Sequence, residues 1–279
     1  MKKLSFIATF FLVAAVILSA CGDKKYKGFK QAENGVWYKV IEKGQGTATP
    51  QMGDYIFIVA SYTSTNDSIP DFEEKELSDI MHEHAFVGDV YDAYAIMHEG
   101  DKMEFAIKAD SFYMAMGAPA EALKELNITE EDIIYFTIKM KEIKTIEQFQ
   151  AEEEEALQKY ITENNITAEP TESGLYFIQT QEGKGPKAED GKTITMHYTG
   201  KFLDGTTFDS SIQRGEPMEF VLGQQPFIAG FEEAVRMMNA GSKATVIMPS
   251  KIAYGPSSPY SPIPPFTTLV FDLEMISIK

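Results

Sequence analysis

Cysteine is almost absent: one residue, Cys21, in a chain of 279. A single thiol excludes an intrachain disulfide and a cysteine-based metal cluster. Basic residues are scarce as well, with 25 Lys and Arg against 42 Asp and Glu and a formal net charge of −17. Such a surface repels phosphate backbones, which excludes nucleic-acid binding as the main task. No apolar run is long enough for a comfortable membrane span. The longest, Leu4 to Leu18, falls short of the ~20 residues a spanning helix needs. What the chain does have is core material. Hydrophobic residues make up 44% and aromatics 12% of it, which argues against global disorder and supports two ordinary domains.

The position of the cysteine accounts for it. Met1-Lys2-Lys3 gives a basic start, the apolar run follows, and Ser19-Ala20 supply small residues before Cys21. This is the pattern of a signal peptide over residues 1–20. Leu18-Ser19-Ala20-Cys21 resembles the bacterial lipobox. That resemblance implies cleavage before Cys21, lipidation of its thiol and anchoring to a membrane without spanning it. It places the protein in the cell envelope, on the periplasmic or outer-membrane side. An ordinary secretory signal with a chance cysteine is the alternative. Asp23-Lys24-Lys25-Tyr26-Lys27 then begins a short polar tether.

The rest of the chain reads as two copies of one unit. Gly35-Val36-Trp37-Tyr38 through Gly44-Gln45-Gly46 parallels Gly174-Leu175-Tyr176-Phe177 through Gly183-Lys184-Gly185. Gly53-Asp54 parallels Gly191-Lys192, Phe86-Val87-Gly88 parallels Phe220-Val221-Leu222-Gly223, and Gly100-Asp101-Lys102 parallels Gly241-Ser242-Lys243. The last strands, Ile134/Phe136/Ile138/Met140 and Leu269/Phe271/Leu273/Met275, alternate alike. Order and spacing persist throughout, which predicts two mainly antiparallel α+β units. Between them, Thr145 and Gln148 form a capping-box pattern, and Asn164-Asn165 and Pro170 end what they start. The expected linker helix occupies 146–169. Its acid run Glu152–Glu155 reads as a solvated face near the helix start. Its stripe of Leu157, Tyr160 and Ile161 can pack on either unit or on a second molecule, as in a homodimer.

Chemistry concentrates in one hairpin. Ile194, Met196 and Tyr198 alternate with Thr193, Thr195, His197 and Thr199, giving a strand with one apolar face. Asp204-Gly205 signals a turn. The returning strand brings Phe208 and Asp209 beside Tyr198. A phenol, a ring and a carboxylate without a nucleophile–base pair suit an apolar pocket with a polar mouth. Ile228, Phe231 and Val235 mark a short amphipathic helix, and Ala244, Val246 and Met248 mark a further strand. Pro256, Pro259, Pro262, Pro264 and Pro265 stiffen the loop before the last strand.

These residues, in this order, resemble the FKBP family of peptidyl-prolyl isomerases. The motifs are Tyr198-Thr199-Gly200, Phe208-Asp209-Ser210-Ser211, Phe220-Val221-Leu222-Gly223, Ile228-Ala229-Gly230-Phe231, Ala253-Tyr254-Gly255, and Ile263-Pro264-Pro265 leading to Thr268-Leu269-Val270-Phe271-Asp272. The resemblance covers 170–279. It implies a curved antiparallel sheet wrapped on a short helix, and isomerisation of X-Pro bonds in segments of unfolded or exported proteins, with no cofactor and no metal. It assigns Tyr198, Phe208, Asp209, Tyr254 and Phe271 as catalytic, and Phe220, Phe227, Ile228, Phe231 and Ile263 as substrate-binding. Two departures stand out: Phe231 where the family often has Trp, and Met218 where an aromatic is common.

The copy in 21–145 lacks this chemistry. Its nearest counterpart to Phe-Asp-Ser-Ser is Ile69-Pro70-Asp71-Phe72, and no Ile-Pro-Pro loop precedes its last strand. Tyr62 and Tyr113 fall near two pocket tyrosine positions, the first out of register. This predicts a degenerate, inactive FKBP-like unit that holds clients, positions the active one or dimerises. His82-Glu83-His84 on a strand would set two imidazoles on one face, but without further ligands it reads as a solvated segment. Met97, Met103, Met114 and Met116 read as core. The leading function is a lipid-anchored prolyl isomerase assisting folding. The alternative is a non-catalytic chaperone or client-binding lipoprotein of the same fold.

Overall fold

The computed structural model of the protein describes residues 24–256 and 262–279. Cys21, the signal segment, Pro259, Ser257, Ser258 and Ser261 lie outside the described residues. The chain divides into two compact units, up to Thr145 and from Ile146 onward. Among the described residues no helix is long and apolar enough to cross a membrane.

The first unit runs β1 (Lys30–Gln31), β2 (Trp37–Glu42), β3 (Tyr55–Ser64), β4 (Phe72–Ile80), α1 (Val90–Ala95), β5 (Lys102–Lys108), α2 (Ala109–Ala115), α3 (Ala120–Glu125) and β6 (Ile133–Lys144). Its sheet is antiparallel in the order β1-β2-β5-β6-β3-β4. One face packs on α1, burying Ala93, Tyr94 and Met97 against Ile56, Phe105, Ile138 and Met140. On the other, Tyr26 stacks on Trp37 and Phe29 on Tyr135. The expected polar tether is therefore already docked at Tyr26.

The second unit opens with α4 (Ile146–Glu163), then β7 (Tyr176–Gln181), β8 (Thr193–Phe202), β9 (Thr207–Ser210), α5 (Ser211–Arg214), β10 (Met218–Val221), α6 (Ala229–Met237), β11 (Lys243–Met248) and β12 (Leu269–Ile278). Its antiparallel sheet has the order β10-β8-β12-β11-β7, with β9 also on β8. Phe231, Ala234 and Val235 of α6 bury against Val246, Leu269 and Phe271. The helix predicted as a linker packs on the opposite face, where Leu157 meets Ile247 and Val270 and Tyr160 and Ile161 flank it. That second contact explains why β11 is buried at Ile247 as well as at its alternating positions.

Read from the opposite end, β7-β11-β12-β8-β10 repeats β2-β5-β6-β3-β4. The backbone closures repeat too. Gly100 N–H donates to the Met140 carbonyl and Gly241 N–H to the Met275 carbonyl, each at 2.8 Å; Met140 and Met275 donate back to Asp101 and Ser242 at 2.9 Å. Gly44 and Gly183 lie where a Cβ would sit 2.1 and 2.6 Å from the carbonyl oxygens of Glu99 and Ala240, so both crossings require glycine. The repeat diverges where the single strand β4 is replaced in the second unit by β9, α5 and β10.

One reading fails in part. Met97 and Met103 are core, but Met114 and Met116 are 53% and 73% exposed, because they fall at the C-terminal end of α2, on its last turn and its cap, rather than on a core-facing stripe. The His82-Glu83-His84 segment is exposed, as expected of a solvated stretch, and lies beyond the end of β4. His84 Nδ1 approaches Asp92 at 3.2 Å and His82 meets the Tyr91 ring edge-on.

Candidate active site

Strand β8 turns Ile194, Met196, Tyr198 and Gly200 to the helix side of the sheet, and β9 returns with Gly200 opposite Asp209. The turn between them holds Gly205 at φ 87°, the left-handed region glycine tolerates. Gly200 is essential for a second reason. A Cβ there would lie 2.5 Å from Phe208 Cζ and 3.0 Å from Phe271 Cε1, so the bare backbone is what admits the Phe208 ring.

The rings interlock from that point. Phe208 meets Phe271 edge-on at 5.7 Å, Phe271 meets Phe231 at 6.0 Å, and Phe231 meets Phe227 at 5.3 Å and the Tyr198 ring at 6.2 Å. Together they enclose a cavity of about 220 Å³ lined by Tyr198, Phe208, Asp209, Met218, Pro226, Phe227, Ile228, Phe231, Tyr254 and Phe271. Eight of the ten residues predicted for the site thus line it. The other two, Phe220 and Ile263, are buried in the cluster behind the wall, Phe220 at 4.7 Å from the Phe227 ring. Edge-to-face pairs of this kind hold ring positions more sharply than area burial alone.

At the mouth stands a polar network. Tyr198 Oη donates to Asp209 Oδ2 at 2.6 Å and accepts from Arg214 Nη2 at 2.8 Å, while Arg214 Nη1 pairs with Asp209 Oδ1. Burial opposes ionisation of Asp209, but the bonds from Tyr198 and Arg214 and the guanidinium charge prevail, holding its carboxyl below the ordinary carboxylate range. Burial, then the bond to Asp209, pushes the Tyr198 phenol up against the opposing Arg214, so it stays a neutral donor. Ser211, fully buried, fixes the strand beneath: its Oγ accepts the Tyr198 N–H at 2.9 Å. Tyr254 follows a tight turn in which Ala253 and Gly255 both donate to the Ser250 carbonyl at 2.8 Å. Its side chain is 48% exposed at the rim.

Arg214 escaped the sequence reading. A signal was present: Ser210 caps a single helical turn, accepting the Gln213 N–H at 3.4 Å, and Gly215 closes it in the left-handed conformation. That turn folds Arg214 back over Asp209. His197 has no place in the cavity; its Nδ1 lies 3.0 Å from Ser211 Oγ.

Residues 185–276 match the family model for FKBP-type peptidyl-prolyl cis-trans isomerases. The chain is 42% identical over 134 residues to an FKBP-type 22 kDa peptidyl-prolyl cis-trans isomerase of Escherichia coli K12, covering 47% of this chain and 64% of that one. It is 36% identical over 188 residues to the FKBP-type peptidyl-prolyl cis-trans isomerase FkpA of Aeromonas hydrophila, covering 64% of this chain and 68% of the relative. It is also 42% identical over 107 residues to the outer membrane protein MIP of Legionella longbeachae, covering 38% of this chain and 45% of that one. The chain belongs to the FKBP-type peptidyl-prolyl cis-trans isomerase family. It spans less than two thirds of the length of the first and the last of these relatives.

Proposed function

We propose that this protein is a prolyl isomerase for exported polypeptides, held in the cell envelope by lipid on Cys21, and that catalysis resides in the pocket of the second unit. The observation that carries the reading is the aromatic cavity edged at its mouth by the Tyr198–Asp209–Arg214 network. Its lining is rich in rings and poor in donors, which suits a pyrrolidine side chain.

Acid–base chemistry is not needed. The barrier to X-Pro rotation is ~18–20 kcal/mol and comes from amide resonance. An acceleration of about 10⁵ requires roughly 7 kcal/mol of differential transition-state binding. A dry aromatic wall disfavours the charge-separated planar amide relative to the twisted, ketone-like one. A carboxylate fixed by two donors adds to this, because it repels the oxygen of the planar form more than that of the twisted form. Tyr254 at the rim is placed to hold the flanking peptide.

The first unit is proposed to be the degenerate copy, one that handles clients without turnover. Its repeated strand order supports this, as does the absence of a Phe-Asp hairpin. The envelope placement is supported by the lipobox-like Leu18–Cys21 segment and by a relative described as an outer membrane protein. The test is the rate of cis–trans exchange of an Ala-Xaa-Pro-Phe peptide with the full chain. We expect acceleration that Phe208→Ala lowers by about 100-fold.

A further inference from the structure

Glu153 is the exception within its acid run. Glu152, Glu154 and Glu155 are exposed as a solvated face should be, but Glu153 is half-buried and points into the second unit. Its Oε1 accepts the Ser250 N–H at 2.6 Å and the Thr268 hydroxyl at 2.7 Å; its Oε2 accepts the Ser250 hydroxyl at 2.6 Å. Ser250 and Thr268 are both buried. They stand at the two ends of the segment that runs from β11 to β12 and carries Tyr254 near its start. One carboxylate therefore clasps both ends of the segment that carries the pocket residue Tyr254.

One helical turn earlier, Phe149 adds a second contact. Its ring stacks on Phe266 at 5.3 Å. Phe266 is held at φ 48°, a left-handed conformation a non-glycine residue adopts only under constraint. Its N–H donates to the Gly255 carbonyl at 2.9 Å, next to Tyr254. Phe149, Glu153 and Leu157 recur at i, i+4 and i+8, so one face of α4 carries the ring stack, the clasp and the sheet contact in succession.

We infer that Glu153 is a positioning residue of the isomerase site: through Ser250 and Thr268, with Phe149 on Phe266, helix α4 sets the loop that presents Tyr254 to the substrate. The inference rests on the isomerase reading of the pocket. It makes α4 part of the catalytic unit. A pocket cut off at residue 170 would keep every lining side chain and lose the support of its rim.

The experiment measures kcat and KM separately for full-length wild type, Glu153→Ala, Glu153→Gln and Glu154→Ala, together with hydrogen exchange at the Gly255 and Phe266 amides. Loss of charge-assisted bonds to Ser250 and Thr268 is expected to raise KM about tenfold in Glu153→Ala with kcat within about twofold, and to speed exchange at Phe266 by a similar factor. Glu153→Gln keeps Oε1, the atom that accepts two of the three bonds, and is expected to restore most of the affinity. Glu154→Ala is expected to change nothing. Thr268→Val removes one bond at constant shape and is expected to give a smaller rise in KM; it decides the matter if Glu153→Ala does not fold. An unchanged KM in folded Glu153→Ala, or a fall in kcat alone, overturns the inference. A wild type without isomerase activity would instead refute the isomerase reading, leaving exchange at Phe266 to judge the clasp.

Discussion

Tyr62 and Gly200 occupy the same position in two copies of one sheet. Tyr62 lies opposite Phe136 on β6 and Gly200 opposite Phe271 on β12, each four residues from the methionine that closes the repeat. In the second unit the bare glycine admits Phe208. In the first, the Tyr62 ring fills that space, stacked at 5.4 Å on Phe72 and tilted against Phe136 at 5.2 Å. At the place of Tyr198 stands Ala60. The two units share a scaffold, and at these two positions the first carries Tyr62 and Ala60 where the second carries Gly200 and Tyr198.

Gly200→Ala is therefore a severe change for a single methyl. Its Cβ would sit 2.5 Å from the Phe208 ring. Overpacking of ~1–3 kcal/mol is expected, with kcat/KM reduced about tenfold or more as Phe208 is displaced. Thermal unfolding and peptide kinetics on one preparation measure both.

Arg214 holds Asp209 and Tyr198 together, so its removal should act on both. Arg214→Ala is expected to lower kcat/KM by about tenfold and to move the Asp209 carboxyl up toward its ordinary value near ~4. Carbon-detected NMR titration reads the second effect directly. An Asp209 titration that does not move would remove Arg214 from the site.

The acid dependence follows from the sign of the carboxylate shifts. Asp209 in the second unit is held below the ordinary range. Asp101 in the first is also held low: burial raises it, but the N–H groups of His98 and Gly44 and the Lys43 ammonium more than compensate. A lowered folded-state value contributes stability that is present above the unfolded value near ~4 and is lost as pH falls through the folded value. Denaturant unfolding between pH 7 and 2 should show that loss below ~4, and Asp101→Asn should reduce it for the first unit, leaving the part due to Asp132, which burial raises but the Thr129 bonds hold low. Activity should not vary between pH 5 and 8 through Asp209.

Asp101 and Ser242 occupy matching positions with opposite consequences. Asp101 is wholly buried and accepts from Gly44 N–H at 2.7 Å and His98 N–H at 2.9 Å. The buried Ser242 hydroxyl has no hydrogen-bond partner among the described residues. Asp101→Ala is expected to cost ~3 kcal/mol by leaving buried donors unpaired. Ser242→Ala is expected to be neutral or to stabilise by up to ~1 kcal/mol. Chemical denaturation of the two variants distinguishes them.

The sequence disclosed what repeats and what alternates. The closing glycines at 100 and 241, the alternating strands that carry Met140 and Met275, and the hairpin carrying Tyr198, Phe208 and Asp209 all carry local signatures. It was less informative where a residue's partner is far along the chain. Glu153 looks like its neighbours in an acid run, and only the fold of Ser250 and Thr268 against α4 singles it out. Arg214 is defined by a one-turn helix too short for periodicity. Met114 and Met116 looked like core because composition cannot locate the end of α2.

The central claim is that X-Pro isomerisation occurs in the second unit at Phe208 and Asp209. The most direct measurement compares the full chain with its Phe208→Ala/Asp209→Ala variant in a protease-free exchange assay on a prolyl peptide, with folding checked by circular dichroism. We predict strong acceleration by the wild type and a loss of about 100-fold or more in the folded variant. Equal rates for the two, or no acceleration by the wild type, would contradict it.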